Sequence, residues 1–230
     1  RVLERMTRRL AREYKELKEY TDHTTHELQT PLAVIKSRME LLMQSEHLGE
    51  EEMRLIQSVN SSVNHLSRLN STLALITRIE NQQFTEVRPV PIREVVIHHL
   101  EMLSELAGLR SIEMIRRLEE RGPVVEMDRG LADILVTNLL NNAIVHNREG
   151  GRLEVEVTEQ TLRVSNEGPP LPFGESELFG RFIRGSQQEG NFGLGLSLVK
   201  KICDSCGFGI RYCYEDSEHV FEIDFLPATP

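Results

Sequence analysis

Seven residues, HELQTPL from His26 to Leu32, hold a nucleophile, a carboxylate, a hydroxyl and a proline in one short run. A neutral imidazole is a good nucleophile near pH 7, and the neighbouring Glu27 can orient its second nitrogen and accept its proton. Thr30 stands four residues on, one helical turn along the same face. Pro31 has no N–H, so in a helix it leaves the Glu27 carbonyl unpaired and bends the axis there. Nine steps of about 100° separate His26 from Ile35, which turns the imidazole away from the apolar seam to which Ile35 belongs. An exposed His beside an ordinary Glu is common, and His23 is read that way; the proline and the helical context set His26 apart.

A second run, NLLNNAIVHN from Asn138 to Asn147, places Asn138 and Asn142 four residues apart on one helical face. Asn is a poor helix former, yet its amide oxygen can ligate a hard cation such as Mg²⁺. A third group comprises VSNEGPPLP, LFGRFIRG and GNFGLGLSLVK. A strand ending at Asn166 with a turn at Gly168 can set a polar side chain against a nucleobase. Phe179 and Phe182 can anchor a lid, and Arg181 and Arg184 can approach phosphates. Gly193 and Gly195 open a helix, and a glycine turn of that kind lets backbone N–H groups come close to an anion. A glycine pair alone is weak support; three such segments in this order after an Asn-rich helix carry more weight.

The elements that must position these groups fall into two textures. The first eighty residues contain one Gly and one Pro, with charged and apolar residues alternating at helical spacing. Leu28, Leu32, Ile35, Met39 and Leu42 form one narrow apolar stripe, and Leu55, Val59, Leu66, Leu69, Leu73 and Ile76 form another. The periodicity stops between Ser45 and Gly49, which predicts a helical hairpin. Two such helices leave much of their stripes uncovered, so the expectation is a dimeric four-helix bundle made with a second copy. From Val87 the pattern changes. Pro89 and Pro91 read as a linker, followed by a helix over 92–107, strands near 111–116 and 124–127, and a helix over 129–146. A hairpin at 152–157 and 161–165, a polar insert over 167–192, a helix over 194–206 and strands at 210–214 and 220–225 complete the chain. The expected fold class is thus α plus α/β: residues 1–85 as a hairpin, residues 86–230 as an α/β sandwich with a mixed sheet and a mobile lid.

The formal net charge of −9 argues against nucleic acid as the main partner, since no basic field would attract a phosphate backbone. A nucleotide site remains compatible with it, because Mg²⁺ and a few basic residues offset charge locally. Three cysteines give no disulfide framework and favour a reducing compartment; Cys203 and Cys206 read as small apolar residues of an amphipathic helix. No run approaches the roughly 20 apolar residues of a membrane span. The first residue is Arg, which reads as a chain beginning inside a longer protein.

HELQTPL resembles the H box of sensor histidine kinases of bacterial two-component systems, and the later segments resemble their N box, glycine boxes and phenylalanine motif. The resemblance spans nearly the whole chain. It implies ATP as substrate and Mg²⁺ as cofactor, with His26 as phosphoacceptor and Glu27 as its acid-base partner. Thr30 would help place the water that dephosphorylates a response regulator. Asn142 would be the Mg²⁺ ligand, with Asn138 close to the nucleotide and Arg184 at the transferring phosphate. Gly168, Gly193 and Gly195 would shape the pocket and lid. It further implies a homodimer, a response-regulator receiver domain as partner, and a cytoplasmic portion of a sensor anchored in the bacterial inner membrane upstream of Arg1.

Several positions depart from the family pattern. Asn166 stands where an Asp usually reads the adenine amino group, and an Asn accepts that hydrogen bond with less electrostatic pull. Pro170 replaces a usual Gly, Asn191 the first glycine of the second glycine box, and Val145 a frequent Lys or Arg. His146 occupies a place where an aromatic often lines the adenine. Two readings of other classes stay open. One is a kinase-like scaffold that dimerises and binds a regulator without catalysis. The other is an ATPase of the gyrase and heat-shock-ninety type, which would have no use for HELQTPL.

Overall fold

The computed structural model describes residues 28–44, 48–81, 83–172, 174–180 and 194–226. The chain divides into two compact units, residues 1–81 and 82–230. In the first unit, α1 covers residues 28–43 and contains Pro31, and α2 runs from Glu50 to Glu80. Gly49 caps α2 in extended conformation, and Glu50, Glu51 and Glu52 place negative charge at the positive end of the helix dipole. The hairpin expected from the two stripes is present. Much of each stripe lies open: Leu28, Ile35, Leu42, Leu55, Val59 and Leu66 are between 43% and 63% exposed. Met39, Val63 and Ile76 are buried.

The second unit opens with a correction. Val87–Pro91 is not a linker but strand β1, paired antiparallel with β3 (Val124–Asp128) in a two-stranded sheet. Both prolines sit in this ribbon, where alternate N–H groups point away from the partner and a missing donor costs little. The helix expected over 92–107 is two helices, α3 (Ile92–Met102) and α4 (Ser104–Leu109). The chain then turns through Ser111, at φ 54°, into β2 (Glu113–Leu118), two residues later than its apolar pattern suggests.

The remaining elements are α5 (Arg129–Val145), β4 (Arg152–Val157), β5 (Thr161–Glu167), the single turn α6 (Glu175–Leu178), α7 (Gly195–Cys206), β6 (Gly209–Glu215) and β7 (Glu218–Asp224). Five strands form one sheet in the order β2-β4-β5-β7-β6, with β2 and β4 parallel and the other neighbours antiparallel. Alternation along the strands gives one apolar face, carrying Leu153, Val155, Val157, Leu162, Val164, Phe221 and Ile223. The opposite face carries pairs such as Arg117–Glu154 at 2.9 Å and Arg211–Glu222.

Helix α5 lies between α3 and α7 and also packs on β5. Neighbours on several sides explain why Leu131, Ala132, Leu135, Val136, Leu139, Leu140, Ala143 and Ile144 are all buried. His99 of α3 fixes the register of the α3–α5 contact. Its Nε2 lies 3.1 Å from Asp133 Oδ1 and its Nδ1 3.1 Å from Thr137 Oγ1, so both ring nitrogens are used.

Candidate nucleotide site

The packing of α5 leaves one stripe partly open, and Ile134, Asn138, Asn142 and His146 follow one another along it. Both ends of this helix are held. Asp128 caps the start by accepting from Gly130 N at 2.8 Å. Arg110 gathers the carbonyls at the end, donating to Ile144 O, to Val145 O at 2.9 Å and to Asn147 O at 2.9 Å. A guanidinium there also carries the charge that the negative end of the helix favours. Arg110→Ala is expected to lower stability by about 2 kcal/mol, because three carbonyls lose a charged donor. Arg110→Lys should restore only part, since one ammonium cannot reproduce the planar fork. The urea midpoint checks both.

Three contacts arrange the residues along that stripe. At Asn138, the side chain donates to Ile134 O at 2.7 Å, and a Cβ added to Gly195 would come within 3.1 Å of Asn138 Oδ1. The start of α7, which has no side-chain cap, therefore abuts the asparagine. One turn on, Asn142 is half-buried on the same stripe. At His146, the carbonyl approaches Gly168: a Cβ there would lie 3.1 Å from His146 O and 3.0 Å from His219 Nε2. A side chain at 168 would have to push neighbours aside on both sides, so this close approach favours glycine there.

Asn166, at the end of β5, is 1% exposed. Its Nδ2 donates to Glu167 O at 3.3 Å, while Oδ1 is buried with no partner among the described residues. A buried acceptor left unmatched costs free energy unless a ligand supplies a donor. An adenine amino group is a donor of the right kind, and Asn142 offers an amide oxygen to a hard cation, so the residues fit a purine nucleotide with Mg²⁺.

Two histidines border this region. Burial, then the charges of His219 and Arg110, lowers the pKa of His146 below 6.5; burial lowers that of His219, although its bond to the Pro169 carbonyl opposes the shift. Burial thus disfavours the charged form of both rings in the fold. Between the unfolded value of 6.5 and the lower folded values, the unfolded chain binds more protons. Stability is expected to be full above that value and to fall with pH through the folded pKa values. Denaturant midpoints at several pH values check this, and His146→Asn should flatten the decline. Glu167 behaves in the same sense at lower pH. Its burial acts to raise the pKa, but the hydrogen bond and charge of Arg148, with Arg152, outweigh it and hold the group below 4.5.

The structure thus brings Asn138, Gly195, Asn142, His146, Gly168 and Asn166 into one connected region of the second unit. Thr30 lies in the first unit, on an open groove of α1 with Ala33, Val34, Ser37 and Leu41. His26, Glu27, Arg184 and Gly193 lie outside the described residues, as do residues 173 and 181–192 of the insert expected to form a lid, Asn191 among them. Cys203 is buried in α7, and burial above all pushes its thiol up to about 12, which removes it as a reactive thiolate. Arg110, Tyr212, Tyr214 and His219 were not singled out from sequence. Arg110 acts across more than thirty residues, where no spacing rule reaches. The other three follow from the register of the β6–β7 hairpin.

A mixed five-stranded sheet covered by helices, with an asparagine-bearing helix facing a glycine turn, defines a class of nucleotide-binding α/β sandwich. Residues 127–230 match the family model described as Histidine kinase-, DNA gyrase B-, and HSP90-like ATPase, and residues 16–82 match the His Kinase A (phospho-acceptor) domain. With both domains in this order, the chain belongs to the sensor histidine kinases of bacterial two-component systems. It is 30% identical over 195 residues to the probable sensor histidine kinase TcrY of Mycobacterium tuberculosis, covering 81% of this chain and 41% of that protein. It is 26% identical over 230 residues to the sensor histidine kinase HprS of Escherichia coli, covering 96% of this chain and 50% of that protein. The chain spans half or less of the length of these relatives. Among solved structures it is similar to full-length ShkA in complex with AMPPNP, with TM-score 0.70 and 22% identity over 91% of this chain and 47% of that one. The mycobacterial sensor histidine kinase MprB is similar at TM-score 0.54 and 26% identity over 60% of this chain and 96% of that one. No helix among the described residues is long and apolar enough to cross a membrane.

Proposed function

We propose that this chain is the catalytic portion of a sensor kinase that uses ATP and Mg²⁺ to phosphorylate His26 and then passes the phosphoryl group to an aspartate of a response regulator. Residues 1–85 carry the phosphoacceptor and pair with a second copy through the exposed stripes; residues 86–230 hold the nucleotide. The observation that carries this reading is HELQTPL within the phospho-acceptor match, in one chain with a site whose buried Asn166 Oδ1 has no donor among the described residues. That one relative is bound to AMPPNP supports a nucleotide at this site. The parent protein is proposed to be anchored in the inner membrane upstream of Arg1, with this portion in the cytoplasm.

In the proposed reaction a nitrogen of the neutral His26 imidazole attacks the γ-phosphorus, the bond to the β,γ-bridging oxygen breaks, and ADP leaves. Glu27 takes the proton from the other ring nitrogen. Asn142 would hold Mg²⁺, which neutralises phosphate charge when bound. Arg184 would balance charge at the transferring group, and Asn138, His146, Asn166, Gly168, Gly193 and Gly195 would shape the nucleotide pocket. Such a transfer asks the protein chiefly for positioning and electrostatic stabilisation. Thr30 would orient the water that removes phosphate from the regulator.

Mixing the phosphorylated chain with a candidate receiver domain and Mg²⁺ tests the second half. Label leaving the chain and appearing on a receiver aspartate supports it. A chain that retains its label with every receiver from its own genome contradicts it, and a chain that binds no ATP is instead a scaffold.

A further inference from the structure

Beyond the end of β5 the chain leaves the strand ladder, and its backbone groups find partners on the β6–β7 hairpin. Gly168 N donates to Ser217 O at 3.2 Å, the Tyr214 hydroxyl donates to Gly168 O at 3.0 Å, and His219 Nε2 donates to Pro169 O at 3.0 Å. A carbonyl only accepts, so Nε2 carries the hydrogen. In the neutral ring Nδ1 then accepts from the Tyr212 hydroxyl, 2.9 Å away. The ring is 5% exposed and stacks on Tyr212 with centroids 6.0 Å apart at 21°. Asp216 and Ser217, at φ 50° and 68°, form the turn that presents the Ser217 carbonyl.

We propose that the β6–β7 hairpin, through His219 and Tyr214, positions the segment from Asn166 to Pro169 and so sets the affinity of the site for its nucleotide. This rests on the nucleotide-binding reading above. Asn166, His219 and Tyr214 occupy one row across β5, β7 and β6, so the hairpin lies directly beside Asn166, whose Oδ1 has no partner among the described residues. From the other side, Arg148 N donates to Glu167 O at 3.2 Å and the His146 carbonyl closes on Gly168. The segment is therefore gripped between the end of α5 and the hairpin. Pro169 and Pro170 have no N–H to offer, which leaves the Gly168 and Pro169 carbonyls as the groups to hold. His219 and Tyr214 are positioning residues: they act through the backbone rather than on the reacting atoms, and a small displacement of an orienting group is enough to lose binding.

Titration of ADP into the 230-residue chain and its variants by calorimetry, alongside autophosphorylation kinetics, tests this. His219→Phe keeps an aromatic ring but removes both hydrogen bonds, and should weaken ADP binding about tenfold. It should raise KM for ATP by a similar factor, with little change in the rate at saturating ATP. His219→Gln, whose amide can still donate to Pro169 O, should recover most of the loss. Unchanged ADP affinity in His219→Phe, a fall in rate with KM unaltered, or no recovery by Gln overturns the inference. Should His219→Phe not fold, Tyr214→Phe decides: weaker ADP binding supports it and wild-type affinity overturns it. A wild-type chain that binds no ADP removes the functional reading and this inference together, whereas normal binding with indifferent variants removes this inference alone.

Discussion

His26→Gln is expected to abolish transfer from ATP to the chain, a loss of at least about a thousandfold, while ADP binds with unchanged affinity. Glutamine approximates the length of the imidazole and keeps a polar end, but its amide nitrogen has no free lone pair with which to attack phosphorus. The described residues assigned to nucleotide binding all lie in the second unit, residues 82–230, while His26 belongs to the first. Chemistry and binding should therefore separate in this variant. Labelled ATP measures the first and calorimetry the second. Residual label at the wild-type level would mean that another side chain accepts the phosphoryl group.

Asn142→Ala should lower autophosphorylation by about a hundredfold or more, because the proposed Mg²⁺ loses its amide ligand and with it the neutralisation of the phosphates. The fold should tolerate the change. Asn142 lies on the part-open stripe of α5, away from the buried Leu139, Leu140 and Ala143, and alanine is the better helix former. A stability change within about 0.5 kcal/mol is expected. Asn142→Asp should recover part of the activity, with an altered dependence on Mg²⁺ concentration, since a carboxylate also suits a hard cation. Equal activity in the alanine variant, measured at limiting Mg²⁺, would remove Asn142 from the metal site.

Much of this organisation was legible in the sequence because it is written in period and punctuation. The stripes of α1 and α2 repeat at coiled-coil spacing, and Leu28, Ile35, Leu55 and Val59 are indeed exposed. The β4–β5 hairpin alternates so regularly that its expected bounds differ from the observed ones only at the last two residues, Asn166 and Glu167. Prolines misled at Val87–Pro91, because a strand in a two-stranded ribbon tolerates missing donors that a central strand would not. The break at Leu103 between α3 and α4 carries no glycine or proline to announce it. Within the site, Asn138, Asn142 and Asn166 could be chosen by residue type. The grip of Arg110 on the end of α5 could not, because it joins the end of α4 to carbonyls more than thirty residues further along the chain. His219 was within reach: a two-residue turn at Asp216 and Ser217 sets Tyr214 opposite His219, as observed.

The most direct test of the central claim is to incubate the chain with γ-labelled ATP and Mg²⁺, then divide the labelled protein between acid and alkali and map the modified residue. A phosphoryl group on imidazole nitrogen resists alkali and is lost in acid, and the account places it on His26. Label that survives acid, or phosphate released steadily into solution with no labelled protein at any time, would contradict the account and point to a hydroxyl acceptor or to a plain ATPase.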